Sequence, residues 1–247
     1  MTYVEGFVCA VPDANRDKYR DHAAAAWKLF REFGVRRHVE AWGADLPDGT
    51  VTDFRKSVAA EEGESVVFAW FEYPDRATRD RVNEKMMSDP RMGELMDMPF
   101  DGKRMIMGGF ESILDVGEAK GGFVDGFVLP LADGKRDAYR AMAHKAASIF
   151  EEHGARRVVE ALSNDVPRGK VTDFYRAVQA GEGDGVVFSW IEWPDRATRD
   201  AAWPKLMEDE RMKPDGEMPF DGKRMFWGGF EMILDESAGA EVRRELA

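Results

Sequence analysis

The 247-residue chain contains one cysteine, Cys9. An intrachain disulfide is therefore impossible, and a reducing, cytoplasmic setting is expected. Long apolar runs are missing too. No stretch of about 18 apolar residues occurs, which excludes a membrane-spanning helix. The opening residues Met1-Thr-Tyr-Val-Glu5 have neither a basic segment nor an apolar core, so they do not read as a signal peptide. Positive charge is in short supply. Asp and Glu number 47 against 35 Lys and Arg, for a net charge of −12. The deficit is even, with 17 basic against 23 acidic residues in 1–120 and 18 against 24 in 121–247. No basic block exists to displace counterions from phosphates, so neither nucleic acid nor an anionic membrane is an expected partner. The four histidines show no zinc-like spacing with cysteine. No metal or cofactor is expected.

What the sequence does contain is a repeat. Shifted by 120 residues, it aligns with itself without a gap. Val51-Thr-Asp-Phe54 returns as Val171-Thr-Asp-Phe174, and Pro74-Asp-Arg-Ala-Thr-Arg-Asp80 as Pro194-Asp-Arg-Ala-Thr-Arg-Asp200. Met98-Pro-Phe-Asp-Gly-Lys-Arg-Met105 returns as 218–225, and Gly108-Gly-Phe-Glu111 as 228–231. From residue 3 to 115, 62 of 113 positions are identical. A period this long is a tandem pair of domains, not a solenoid. The expected organisation is a first repeat over 1–116, a polar, glycine-rich linker over 117–122, a second repeat over 123–236 and a tail over 237–247. For that tail a short helix and an unstructured segment are both open.

Within one repeat, residues 3–11 read as a strand ended by Pro12, with Asp13 as the N-cap of a helix. Tyr19, Ala23, Ala26, Trp27, Phe30 and Phe33 give that helix its apolar stripe, and Gly34 ends it. Residues 35–42 read as a second strand, and 51–60 as a further short strand or edge segment. Val66-Val-Phe-Ala-Trp-Phe-Glu-Tyr73 is the plainest strand of the chain. Pro74-Asp75 caps a helix running to about Met87, and a last strand covers 104–114. Pro204 should end or kink the corresponding helix of the second copy. The order β-α-β-β-α-β predicts an α+β fold of two ferredoxin-like repeats. One sheet face carries large apolar groups that its own helices do not cover, so the two sheets should pack face to face as a pseudo-dimeric α/β barrel.

Tyr3-Val-Glu-Gly-Phe7, Val66-Val-Phe-Ala-Trp70, Met98 to Met105 and Gly108-Gly-Phe110, in this order and again in the second copy, resemble the YbaA-like family of bacterial proteins, domain-of-unknown-function family 1428. The resemblance covers nearly the whole chain, twice. It implies a dimeric α/β barrel of ferredoxin-like type, with this chain a fused version of a dimer, and it transfers no catalytic residue.

Candidate chemistry rests on charged residues present in both copies. Glu40, Glu72 and Glu111 recur as Glu160, Glu192 and Glu231, and Arg36 recurs as Arg156. Antiparallel pairing of the second and third strands should bring Arg36 to Glu72 and Arg156 to Glu192. Such pairs read either as a ligand-binding cleft or, more simply, as structural ion pairs. Lys103 and Arg104, with Lys223 and Arg224, follow an Asp-Gly turn that reads as an anion site or as plain strand entry. Gly108-Gly109 suggests a bulge or close packing against Trp70 or Phe68. His22, His38, His144 and His153 face Met142, Val158, Ala24 and Phe33 in the other copy, which favours packing or surface roles over a duplicated site. Cys9, opposite Leu129, is not expected to be a nucleophile. The expected function is binding, and conceivably transformation, of a small molecule in a cleft. A structural or stress-related protein without a ligand is the alternative.

Overall fold

The computed structural model describes residues 2–95, 97–119, 121–213 and 216–238. In the first repeat β1 (Tyr3–Pro12), α1 (Arg16–Phe33), β2 (Arg37–Asp45), α2 (Phe54–Ser57), β3 (Glu64–Tyr73), α3 (Arg76–Ser88) and β4 (Ile106–Gly117) follow one another. The second repeat gives β5 (Phe123–Leu131), α4 (Arg136–Glu152), β6 (Arg157–Asp165), α5 (Phe174–Ala177), β7 (Gly185–Trp193), α6 (Arg196–Glu208) and β8 (Phe226–Ser237). The predicted tail from 239 onward lies outside the described residues. Among the described residues no helix is long and apolar enough to cross a membrane.

The eight strands close into one antiparallel barrel in the order β1-β3-β2-β8-β5-β7-β6-β4. Each repeat supplies four adjacent strands. The edges of the two sets hydrogen-bond to each other, β2 to β8 and β4 to β6. The expected barrel of two packed sheets is present, and the sheets are in addition joined edge to edge. Closure satisfies every edge strand, which stacked open sheets would leave exposed. Both seams carry register shifts, one between Gly109 and Phe110, in keeping with the bulge expected there.

Side-chain alternation explains why the strands read as continuous apolar runs. On β3, Val66, Phe68 and Trp70 point into the barrel, while Val67, Phe71 and Tyr73 pack with the outer helical layer. Both faces are buried, so neither shows the polar alternation of a solvated strand. The barrel interior is filled. Phe68 stacks on Phe188 at 4.4 Å, and Trp70 lies 4.5 Å from Trp190. Gly6 and Gly126 make room for that stack, since a Cβ there would meet the Phe188 ring at 2.9 Å and the Phe68 ring at 3.1 Å. Gly108 instead faces Val166, not Trp70 or Phe68.

The segment 51–60, expected as a short strand or edge segment, contains the one-turn helix α2, capped by Asp53, which accepts from the Lys56 amide. Phe54 and its counterpart Phe174 on α5 enter the barrel core. Thr52 donates to the Ala177 carbonyl at 2.6 Å, and Thr172 to the Ser57 carbonyl at 2.7 Å. The two segments thus plug one end of the barrel together. Asp13 does not cap α1; it accepts from Ser65, and α1 begins at Arg16 without a side-chain cap. Asp75 does cap α3, accepting from the Thr78 amide at 2.7 Å. Pro204 does not end α6, which runs on to Glu208. The proline is exposed, so water can satisfy the carbonyl it leaves unpaired.

Candidate functional site

The barrel end opposite α2 and α5 holds a buried cluster of charge. Arg37 meets Glu192 through two bonds of 2.7 and 3.0 Å, Asp235 through two of 2.8 Å, and Glu72 at 3.2 Å. Arg157 mirrors it, with 2.7 and 3.1 Å to Glu72, 2.8 and 2.9 Å to Asp115, and 3.5 Å to Glu192. Each arginine therefore takes the glutamate of the other repeat in bidentate fashion. Trp70 and Trp190 donate their indole N–H groups to Glu72 and Glu192 at 3.0 and 3.1 Å. Burial alone would raise the Glu72 pKa, but the charges and hydrogen bonds of Arg157 and Arg37 overcome it and hold the carboxyl below its ordinary value. Both guanidiniums are driven further upward, burial being outweighed by their carboxylate partners. The cluster is closed on itself, with its donors already matched to acceptors.

The expected partner of Glu72 was wrong by one residue. Arg36 and Arg156 are exposed, and only their backbone amides reach the carbonyls of Glu72 and Glu192, at 2.9 and 2.7 Å. A shift of one position along a strand exchanges the two faces, so the neighbour Arg37 is the one turned inward. Glu111 and Glu231 are not in a cleft. They pair on the surface with Arg136 at 3.5 Å and Arg16 at 2.8 Å, arginines of the other repeat. Arg104 reaches Glu64 through two bonds of 2.7 Å and the Ala59 carbonyl at 2.9 Å. Arg224 likewise reaches Asp184 at 3.2 Å and the Gln179 carbonyl at 2.9 Å. Ala59 and Gln179 both have left-handed backbones, and these arginines tie their carbonyls down. Lys103 and Lys223 are exposed, and their amides donate to Asp101 and Asp221 rather than facing an anion.

Space for a ligand lies elsewhere, between the outer barrel wall and the helices. The first repeat has a cavity of about 450 Å³ bounded by α1, the outer faces of β1, β2 and β3, and Met98 and Phe100. The second has its equivalent, about 520 Å³, under α4, with Met218, Pro219 and Phe220 at its rim. Both lie in the range of small-molecule sites and are lined chiefly by Phe, Met, Ala and Ile. Glu40 and Glu160 sit in these walls. Tyr19 donates to Glu40 at 2.7 Å, and Tyr139 donates to Glu160 at 2.6 Å. Burial pushes the Glu160 carboxyl up to about 7, against the pull of hydrogen bonds from Tyr139 and Ser189. Burial also drives both phenols well above their ordinary range, so they remain donors. In the first repeat the chain is longer. His38 Nε2 lies 2.7 Å from the second Glu40 oxygen, and Cys9 Sγ is 3.8 Å from the Tyr19 hydroxyl. Burial raises the Cys9 thiol pKa, so the thiolate is disfavoured. Among the described residues no group of three or more His, Cys, Asp or Glu side chains is arranged to hold a metal ion.

The structure places Glu40 and Glu160 in the cavity walls and adds phenol partners that the sequence does not single out, Tyr19 counting there only as part of an apolar stripe. Recurrence of Tyr, Glu and the adjacent Arg-Arg pair in both copies was the available signal. For Arg37, sharing the parity of Val39 and Ala41 would have given the inward face.

The fold and its two outer cavities define a closed, eight-stranded antiparallel α+β barrel with a helical layer and one candidate ligand site per repeat. The chain belongs to the family described as Protein of unknown function (DUF1428), whose model matches residues 2–102 and 122–222. The protein YbaA of Escherichia coli K12, described as uncharacterized, is 63% identical over 116 residues, which is 47% of this chain and 99% of that protein. Among solved structures, a "putative monooxygenase" from Lactobacillus acidophilus NCFM aligns over 97% of this chain and 98% of its own, with a TM-score of 0.58 and 10% identity. An anthrone oxidase-like protein aligns over 96% of this chain and 93% of its own, with a TM-score of 0.54 and 11% identity. At these identities the likeness is one of fold.

Proposed function

We propose that the protein binds apolar small molecules in its two outer cavities, with the Tyr19–Glu40 and Tyr139–Glu160 pairs as polar anchors. The observation that carries this reading is the recurrence of a phenol–carboxylate pair in the wall of an apolar cavity in both repeats, buried in the first and part-buried in the second. In the second cavity the Glu160 carboxyl, poised near neutrality beside a phenol, can also give or take a proton, so binding there can extend to proton-transfer chemistry on the ligand. We further propose that the chain is the covalent counterpart of a barrel built from two single-repeat chains, the tether raising the effective concentration of one half for the other. The YbaA relative, one repeat long, supports this. The closed charge cluster supports a structural role for Glu72 and Glu192 in holding the halves together.

The name of one structural neighbour, an anthrone oxidase-like protein, makes anthrone the first probe; its enol hydroxyl can donate to the phenol oxygen, whose own proton goes to the carboxylate. Anthrone titrated into the full-length protein, followed by calorimetry and tryptophan fluorescence, should bind saturably with at most two equivalents. Joint replacement Tyr19→Phe and Tyr139→Phe should weaken it by about tenfold, the worth of roughly one hydrogen bond. Absence of saturable binding by anthrone and by naphthalene derivatives to the folded protein would sink the cavity reading.

A further inference from the structure

Two buried side-chain nitrogen or oxygen atoms among the described residues lack a hydrogen-bond partner, Arg79 Nε and His38 Nδ1. Arg79 Nε lies 3.2 Å from the Asp80 carboxylate, which balances its charge. His38 Nδ1 has no such compensation. Its ring is 1% exposed, and Nε2 is committed to Glu40. With the Nε2 proton turned to the Glu40 carboxylate, the neutral ring keeps Nδ1 as a bare acceptor, the tautomer being assigned from the 2.7 Å contact. The rings packed around His38, those of Phe71, Phe30 and Trp27 with centroids 4.6, 5.8 and 6.3 Å from its own, give Nδ1 no hydrogen bond. A buried acceptor left this way is costly, and such an atom calls for a missing partner. His38 forms part of the wall of the first cavity. On that wall Glu5 is already matched, accepting from Asn83 and from Tyr73, each at 3.1 Å, while the second histidine there, His22, is only part-buried. At the same place the second repeat has Val158, which needs no partner, and Glu160 turns to Ser189 instead.

We propose that the two cavities differ in ligand chemistry. The first recognises an apolar molecule through a hydroxyl of phenol or enol type that donates to His38 Nδ1, while the second has no such requirement. This rests on the cavity reading above and adds to it the polar group that the ligand must carry. Met86, Met87, Met105 and Met107 in the same wall give the conformational freedom that seating a ligand against a buried ring demands.

The test compares 2-naphthol with 2-methoxynaphthalene, which has the same ring system and no donor. Wild-type protein should bind one equivalent of 2-naphthol about tenfold more tightly than the ether, as one hydrogen bond of about 1.4 kcal/mol requires. In His38→Val, which installs the residue that the second copy carries, the two probes should bind alike. With 15N-labelled wild-type protein, the His38 Nδ1 resonance should move on adding 2-naphthol and stay put with the ether. Retention of the preference in His38→Val overturns the proposal, and so does an unmoved Nδ1 resonance while 2-naphthol binds. Equal binding of both probes to the wild type removes the role of His38 and leaves the cavities standing as ligand sites. Failure of both probes to bind folded wild type overturns the cavity reading and this proposal with it.

Discussion

The inner and outer faces of the barrel wall have fared differently between the two repeats. Inside, Val4, Val8, Val39, Ala41, Val66, Phe68, Trp70, Glu72 and Phe110 each recur unchanged 120 residues later, while Ala10 and Ile106 return as Pro130 and Phe226. Outside, Phe7, Glu40 and Val67 recur, but Cys9, His38, Trp42, Ala69, Phe71 and Tyr73 are replaced by Leu129, Val158, Leu162, Ser189, Ile191 and Trp193. The reason is in the contacts. An inner residue meets its own counterpart or that counterpart's neighbour: Phe68 lies on Phe188, Trp70 on Trp190, and Arg37 grips Glu192. A change in one repeat is felt at once by the other, in a close-packed space with no room to adjust. Each outer cavity is bounded chiefly by elements of one repeat, so each can change alone.

The comparison can be broken most sharply at the aromatic stack. Phe68→Ala should cost about 3–5 kcal/mol in urea unfolding, and Phe68→Ala with Phe188→Ala should cost clearly less or more than the sum of the two. Additive costs would mean that the repeats do not share one core. Next is the charge cluster. Glu192→Ala takes from Arg37 one of its two bidentate carboxylates and from Trp190 its acceptor, and should cost about 3–5 kcal/mol, whereas Arg36→Ala, on the exposed side of the same strand, should stay within about 0.5 kcal/mol. Comparable losses in the two variants would put the wrong arginine inside.

The smallest effect distinguishes the faces by pH. Glu72, inside, has its pKa below the ordinary 4.5, so the folded state binds fewer protons there than the unfolded chain. Its contribution is complete above that value and is lost as pH falls below it. Glu160, outside, is raised to about 7 from 4.5, so the folded state holds a proton that the unfolded chain has released. That contribution is complete below 4.5 and is lost as pH rises towards 7. Melting temperature measured from pH 4.5 to 7 should therefore carry a downward component that Glu160→Gln removes. An unchanged slope in that variant would place Glu160 in a wetter setting than its burial implies.

Much of this was readable from residues alone. The duplication, the strand and helix order, the Asp75 cap and the pairing of inner carboxylates with arginine all follow from local pattern. The one-turn plug at Phe54 did not, because four residues give too little periodicity to tell a turn of helix from a strand. The neighbour error between Arg36 and Arg37 has a similar source: adjacent arginines are chemically alike, and only the phase of the strand separates them. His38 was set aside because the second copy lacks it, an argument that holds only if both cavities do the same work.

Composition and repetition by themselves determined that the chain has two α+β units with greasy sheet faces that must be hidden, since apolar burial depends on which side chains alternate along a strand. Where the hiding happens was decided in three dimensions. Closure of the barrel at the β2–β8 and β4–β6 seams moved Glu72 and Glu192 into a sealed ion cluster and left Glu40 and Glu160 outside, in the cavities. Long-range strand pairing sets which face of each strand becomes interior, and no local stretch of sequence encodes that choice.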